Sequence, residues 1–148
     1  MNLENSFTPM LVAAVALVGR DGRILMQQRN LSAVHGGLWE FPGGKIEAGE
    51  SPETAAAREL HEELAVLIEP ASLIPVGFAS GMTEGAGSTA RPLVILLYAC
   101  TTWDGVPQPR EHEAIAWHSP EAIRRLSMPP LDYPLADALC SFLAGRAI

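Results

Sequence analysis

Apolar and polar residues fall in blocks that read, in order, as strands, one strong helix, more strands and a helical end. Met10–Val18 is a continuous apolar run with Val12, Val15 and Val18, the pattern of a buried strand. Gly19-Arg20-Asp21-Gly22 is a turn signal built on Asp-Gly, and Arg23–Arg29 reads as the returning strand of a hairpin. Asn30–Gly37 is a polar, glycine-containing loop. Trp39-Glu40-Phe41 is a short extended piece, because Pro42 pushes Phe41 out of the helical region.

The best helix is placed at Pro52–Leu64. Ser51 is a natural N-cap, and Pro52 fits the first helical position, where its missing N–H is no loss. Glu53 lies in the first turn, where the helix dipole favours a negative charge, and Ala55, Ala56, Ala57, Leu60 and Leu64 are strong helix formers. Further strands are expected at Leu73–Ala79, Pro92–Thr101 and Ala114–His118, with a glycine-rich loop at Ser80–Ala90 and a turn at Thr102–Pro109. Ser119-Pro120-Glu121 starts a short helix to about Leu126; Pro129-Pro130 breaks it, and Leu135–Ala144 is a final helix. The fold class that follows is α/β or α+β, built on one central sheet.

The length of 148 residues fits one domain, expected over residues 9–148 behind a flexible tail at 1–8. Ten Lys and Arg against 17 Asp and Glu give a net charge of −7. Nucleic-acid backbones need a basic patch, so that balance argues against DNA or RNA as a partner. A small phosphorylated ligand stays open, because a metal ion can bring the positive charge. Met10–Val18 is too short to span a bilayer, and the residues before it lack the basic start of a signal peptide and carry Glu4, so a cytoplasmic location with no membrane partner is expected. Cys100 and Cys140 form no C-x-x-C and read as reduced, mostly buried thiols.

Chemistry concentrates in Arg58-Glu59-Leu60-His61-Glu62-Glu63. At about 100° per residue, Glu59, Glu62 and Glu63 share one arc of the helix, with Ala57, Leu60 and Leu64 on a neighbouring arc. Three such carboxylates repel one another. Either the face is solvated, or a hard divalent cation that prefers oxygen ligands, Mg²⁺ or alternatively Mn²⁺, offsets the repulsion. The histidines His35, His61, His112 and His118 show no zinc spacing, and His61 reads as a helix-surface residue.

Pro42-Gly43-Gly44-Lys45 precedes the helix by one short loop. Gly44, Glu50, Arg58, Glu59, Leu60, Glu62 and Glu63 fit G-x5-E-x7-R-E-U-x-E-E, with U a bulky aliphatic residue. This pattern resembles the Nudix box, with one departure: Ala65 stands where the family usually has glycine. The approach Leu38-Trp39-Glu40-Phe41-Pro42-Gly43-Gly44-Lys45, the later run Trp103-Asp104-Gly105 with Arg110-Glu111-His112-Glu113 and Trp117, and Met128-Pro129-Pro130-Leu131-Asp132-Tyr133-Pro134 are similar to segments of its MutT-like subgroup. The likeness covers roughly residues 10–143.

The resemblance implies an α/β/α sandwich around a mixed sheet. It implies hydrolysis of a nucleoside triphosphate to the monophosphate and pyrophosphate, with metal ions stabilising phosphoryl charge. Glu59, Glu62 and Glu63 would hold the metal with the Gly43 carbonyl, and Arg58 would orient a box carboxylate rather than serve only as a surface partner of Glu62. Glu111 would be an extra carboxylate from the later loop, as ligand or base, with Glu113 the competing choice. Arg29, Glu40, Phe41, Gly43, Lys45 and Asp132 would contact substrate: Lys45 and Arg29 the phosphates or nucleotide, Asp132 the base. Phe41 either packs near the base or fills the core, and Trp39, Trp103 and Trp117 read as core. The first expectation for substrate is 8-oxo-dGTP, a nucleotide-pool sanitising role. The alternatives are CTP or a modified dCTP, and a non-catalytic nucleotide sensor. A monomer and a homodimer are both compatible with these residues.

Overall fold

A computed structural model describes residues 8–83 and 90–146. Most of the expected tail, and residues 84–89 of the expected glycine-rich loop, lie outside those residues. The strands are β1 (Met10–Leu17), β2 (Ile24–Gln28), β3 (Trp39–Glu40), β4 (Gly43–Lys45), β5 (Ile74–Met82), β6 (Pro92–Cys100) and β7 (Ala114–His118). The helices are α1 (Pro52–Leu64), α2 (Pro120–Ile123) and α3 (Asp132–Gly145), with a single 3₁₀ turn at Pro70–Ser72.

A mixed four-stranded sheet in the order β4-β1-β6-β5 forms the centre, with β1 and β6 parallel and the other pairs antiparallel. A three-stranded antiparallel sheet, β3-β2-β7, lies beside it. Strand β1 shows why helices cover both faces. Ala13, Val15 and Leu17 point into the core under α1, while Ala14, Ala16 and Val18 point into the core under α3. Leu60 and Leu64 of α1 are fully buried in the first core, and each such side chain contributes about 1.5–3 kcal/mol.

The helix Pro52–Leu64 forms as its sequence dictates. Ser51 is extended and its Oγ accepts the Thr54 N–H at 3.1 Å, satisfying one of the free donors of the first turn. At the other end Ala65 takes the left-handed conformation, φ 62°, and its N–H donates to the His61 carbonyl. Alanine therefore makes the exit that glycine makes more easily.

Five local expectations change. The hairpin after β1 holds only through the Val18–Ile24 bridge, after which β2 joins the second sheet with β3 and β7. The short helix after Ser119 ends at Ile123 rather than near Leu126, and Gly43–Lys45, where no element was expected, is a strand whose glycines let it lie flat against β1 at Ala13 and Ala14. Strand β5 runs on through Ser80, Gly81 and Met82, which pair with Val94, Leu93 and Pro92. The last helix begins at Asp132, three residues earlier than expected, since Pro134 is tolerated in a first turn. Among the described residues no helix is long and apolar enough to cross a membrane. Both cysteines are free thiols, Cys100 buried and Cys140 half-buried. Trp103 and Trp117 stack at 6.0 Å and, like Trp39, pack against the cores.

Candidate active site

A cleft of about 570 Å³ opens beside the central sheet, between β1, β4, the end of β5 and the start of α3. Arg29, Glu40, Phe41, Gly43, Lys45 and Asp132, the six expected substrate contacts, all line it. Sequence order scatters them over more than a hundred positions; β2, β3, β4 and the first turn of α3 bring them to one opening. Phe41 is buried in the α3-side core and also lines the cleft.

Arg29 Nη1 donates to Glu40 Oε1 at 2.9 Å, and its Nε to the Val34 carbonyl at 2.7 Å. Burial opposes the charge on Glu40, but hydrogen bonds from His112 and Arg29 outweigh it and hold its pKa below the ordinary value. Asp132 is buried in the helix start, and its Oδ2 accepts the Phe41 N–H at 3.1 Å. Burial pushes its carboxyl up to about 7; the Phe41 N–H and Arg29 only partly counter this, and the charge on Glu40 adds to it.

The carboxylates of α1 stand next to this cleft, across Gly44. A side chain at position 44 would collide with the Glu59 carboxylate, so glycine leaves room for it. Arg58 ties the corner together. It pairs with Glu50, donates to Glu59 Oε1 at 3.0 Å through Nη1, and reaches the Lys45 carbonyl of β4 at 3.0 Å through Nη2. Hydrogen bonds from Arg58, and from the Glu47 backbone, hold Glu50 down to about 2. The i,i+4 contact from Arg58 to Glu62 is longer, 3.5 Å, so the pairing with Glu62 is the lesser one.

Glu63 is buried, with a side chain only 6% exposed. Gln27 Nε2 donates to its Oε1 at 2.6 Å. Burial pushes Glu63 up to about 8; the Gln27 bond opposes this, and the neighbouring Glu59 and Glu40 reinforce it. The loop between β6 and β7 closes over this end of α1. The Gln108 N–H caps the Leu64 carbonyl, the Arg110 N–H caps Glu63, and Arg110 Nη1 reaches His61. These caps bring His112 in, with Nε2 3.4 Å from Glu40 Oε2 and 4.0 Å from Glu63 Oε1.

The expected ligand set is thus gathered in part. Glu59 and Glu63 are neighbours under Gly44 and the loop, whereas Glu62 is half-exposed and turned toward Arg58. Glu111 and Glu113 are exposed on the loop, and the Glu111 carbonyl accepts from Asn30. Among the described residues no group of three or more His, Cys, Asp or Glu converges on one point. Like-charge repulsion and the pull of Arg58 spread the carboxylates. Two residues not singled out in the sequence belong to the site, Gln27 and His112. Gln27 was detectable only as the first of two glutamines that follow the apolar run of β2, and His112 only by its place beside Glu111.

The donors suit a hard divalent cation. Glu40, Glu50, Glu59, Glu62 and Glu63 crowd one region in which Arg29 and Arg58 are the paired cations. Negative charge is in surplus, and every donor is an oxygen, the set preferred by Mg²⁺ and Mn²⁺.

A family model described as NUDIX domain matches residues 8–139. A CTP pyrophosphohydrolase of Escherichia coli K12 is 37% identical over 139 residues, covering 93% of this chain and 96% of that protein. A putative 8-oxo-dGTP diphosphatase 2 of Mycobacterium tuberculosis is 34% identical over 137 residues, covering 93% and 92%. The solution structure of the E. coli ORF135 protein superposes with a TM-score of 0.79 at 34% identity, covering 96% of each chain.

Proposed function

The chain belongs to the NUDIX family, in its MutT-like branch of nucleoside triphosphate pyrophosphohydrolases, and from that premise we propose that it hydrolyses a cytosine nucleotide, CTP or a modified dCTP, to the monophosphate and pyrophosphate. The observation that carries the reading is Asp132 in the cleft beside Phe41, with one oxygen held by the Phe41 N–H and a carboxyl that titrates near 7. A neutral carboxyl both donates and accepts. Cytosine presents an amino donor next to a ring-nitrogen acceptor, the complement of that group. The relative with 37% identity, named a CTP pyrophosphohydrolase, points the same way.

A second reading is 8-oxo-dGTP. Its oxidised imidazole edge also presents a donor beside an acceptor, and the relative at 34% identity carries that substrate in its name.

In this reading Arg29, braced by Glu40, and Lys45 take the phosphates at the cleft wall. Glu59, Glu62 and Glu63, with the Gly43 carbonyl and Glu111 from the loop, would hold Mg²⁺ or Mn²⁺. When bound, such an ion would supply positive charge against the phosphoryl oxygens and would lower the pKa of a water in the site. Water adds to phosphorus, the α–β anhydride breaks, and the proton of the water passes to a carboxylate of the site. Arg58 keeps Glu59 and Glu50 in place while it is tied to β4 through the Lys45 carbonyl. The domain acts over residues 9–148, in the cytoplasm, on a small nucleotide.

Pyrophosphate release from a nucleotide panel, with Mg²⁺ and an EDTA control, tests this. A kcat/KM for CTP or modified dCTP more than about tenfold above 8-oxo-dGTP, a gap of roughly 1.4 kcal/mol, supports the first reading. The reverse ranking establishes the second. No metal-dependent turnover of any member overturns both.

A further inference from the structure

Gln27 is the one fully buried polar side chain on β2 among the described residues. The period of two puts it on the same face as Leu25, which packs in the core under α1, so its amide meets α1 from below. There Nε2 donates to Glu63 Oε1 at 2.6 Å, and Oε1 of the same amide has no hydrogen-bond partner among the described residues. A buried amide left half-satisfied is costly, and an apolar residue would pack there without that cost. The one bond it does make is to the most buried carboxylate of α1.

From this arrangement we infer that Gln27 is a positioning residue for divalent-cation binding: its amide fixes the orientation of the Glu63 carboxylate from the strand beneath. The inference rests on the proposed role of Glu63 as a metal ligand. A carboxylate on a helix end can turn about its last bonds. A donor anchored in a buried strand restricts that rotation, whereas water or a surface side chain would move with it. The other nearby donor, His112 Nε2, is 4.0 Å from the same oxygen, too far for a hydrogen bond, so it does not substitute for the amide.

The test compares Mn²⁺ binding, read by the electron paramagnetic resonance of free Mn²⁺, in the wild type, Gln27→Met and Glu63→Gln. Gln27→Met keeps the length and removes the donor. Its Mn²⁺ Kd is expected to rise about tenfold or more, the scale on which hydrogen-bond partners of ligating carboxylates act. At saturating Mg²⁺ the KM for nucleotide stays within about twofold, because the cleft walls are untouched. A residue that only filled space would lower the melting temperature and leave the Kd alone. If Gln27→Met does not fold, Gln27→Asn keeps the amide, draws it back by one methylene and is expected to weaken Mn²⁺ in the same direction. An unchanged Kd in the Gln27 variant beside a weakened one in Glu63→Gln overturns the positioning role alone. An unchanged Kd in Glu63→Gln overturns the ligand role of Glu63, and the inference with it.

Discussion

Arg58 and Glu50 meet side-on: Nε donates to Oε2 at 2.7 Å and Nη2 to Oε1 at 2.9 Å. Only the planar guanidinium fork makes that pair while its remaining N–H groups reach Glu59 and the Lys45 carbonyl. Arg58→Lys keeps the charge and loses the fork. We expect kcat to fall about tenfold or more with little change in the nucleotide KM, since what is lost is the placement of Glu59 rather than a nucleotide contact. Steady-state kinetics at saturating Mg²⁺ read this, and a Lys variant with wild-type kcat would remove Arg58 from the mechanism.

Ala65 sits at φ 62°, where an L-residue costs about 1–2 kcal/mol. Glycine there relieves the strain but gains roughly 0.4–1 kcal/mol of unfolded-state freedom. Ala65→Gly is therefore expected to stabilise the chain by about 0.5–1 kcal/mol, with activity unchanged. Urea unfolding measures it, and a destabilised variant would mean that the methyl group packs usefully.

These two residues also show what could be read in advance. The helix Pro52–Leu64 was legible because its cap and proline signals are local, and the structure returns it residue for residue; Arg58 and Glu50 stood out through the resemblance to the Nudix box. The exit at Ala65 was visible as a departure from a pattern, but its geometry was not. Gln27 and His112 were not legible. Gln27 matters only because β2 leaves the hairpin for a second sheet and passes beneath α1, and His112 only because the loop from β6 caps the end of α1. Both facts depend on strand pairing across distant segments, which a period of two does not encode. The sequence pattern ends β5 at Ala79 for the same reason. Ser80-Gly81-Met82 has loop composition, and pairing with Val94, Leu93 and Pro92 overrides it.

Asp132 gives a prediction in pH. Its folded pKa, about 7, lies above the ordinary 3.8 because burial disfavours the charge. A raised carboxyl contributes stability that is fully present below the unfolded value and is lost as pH rises through the folded one. Stability should therefore decline between about pH 4 and pH 7 on account of this group. Asp132→Asn stays neutral and can still accept the Phe41 N–H. Its gain over the wild type should grow across that window and level off above it, to at most a few kcal/mol. Denaturant unfolding at pH 4, 5.5, 7 and 8.5 checks the shape; a gain independent of pH would show that Asp132 is not the titrating group.

Glu63 separates stability from function. Burial and the nearby Glu59 and Glu40 all push its pKa upward, so holding it charged strains the metal-free chain at high pH. By the same sign, its contribution is present below the ordinary carboxylate range and lost as pH rises through about 8. Glu63→Gln carries no such charge and is expected to melt higher than the wild type in EDTA at pH 8.5. Mg²⁺ should reverse the order. An ion bound only to the folded state adds RT ln(1 + [L]/Kd), about 2.7 kcal/mol at a hundred times Kd, and the variant forfeits most of it along with most of its turnover. Thermal unfolding of both proteins in EDTA and in Mg²⁺ reads the two halves independently. A variant that still gains the full Mg²⁺ shift would remove Glu63 from the ligand set, and one that melts lower than the wild type in EDTA would mean that the buried carboxylate is already compensated by the chain itself.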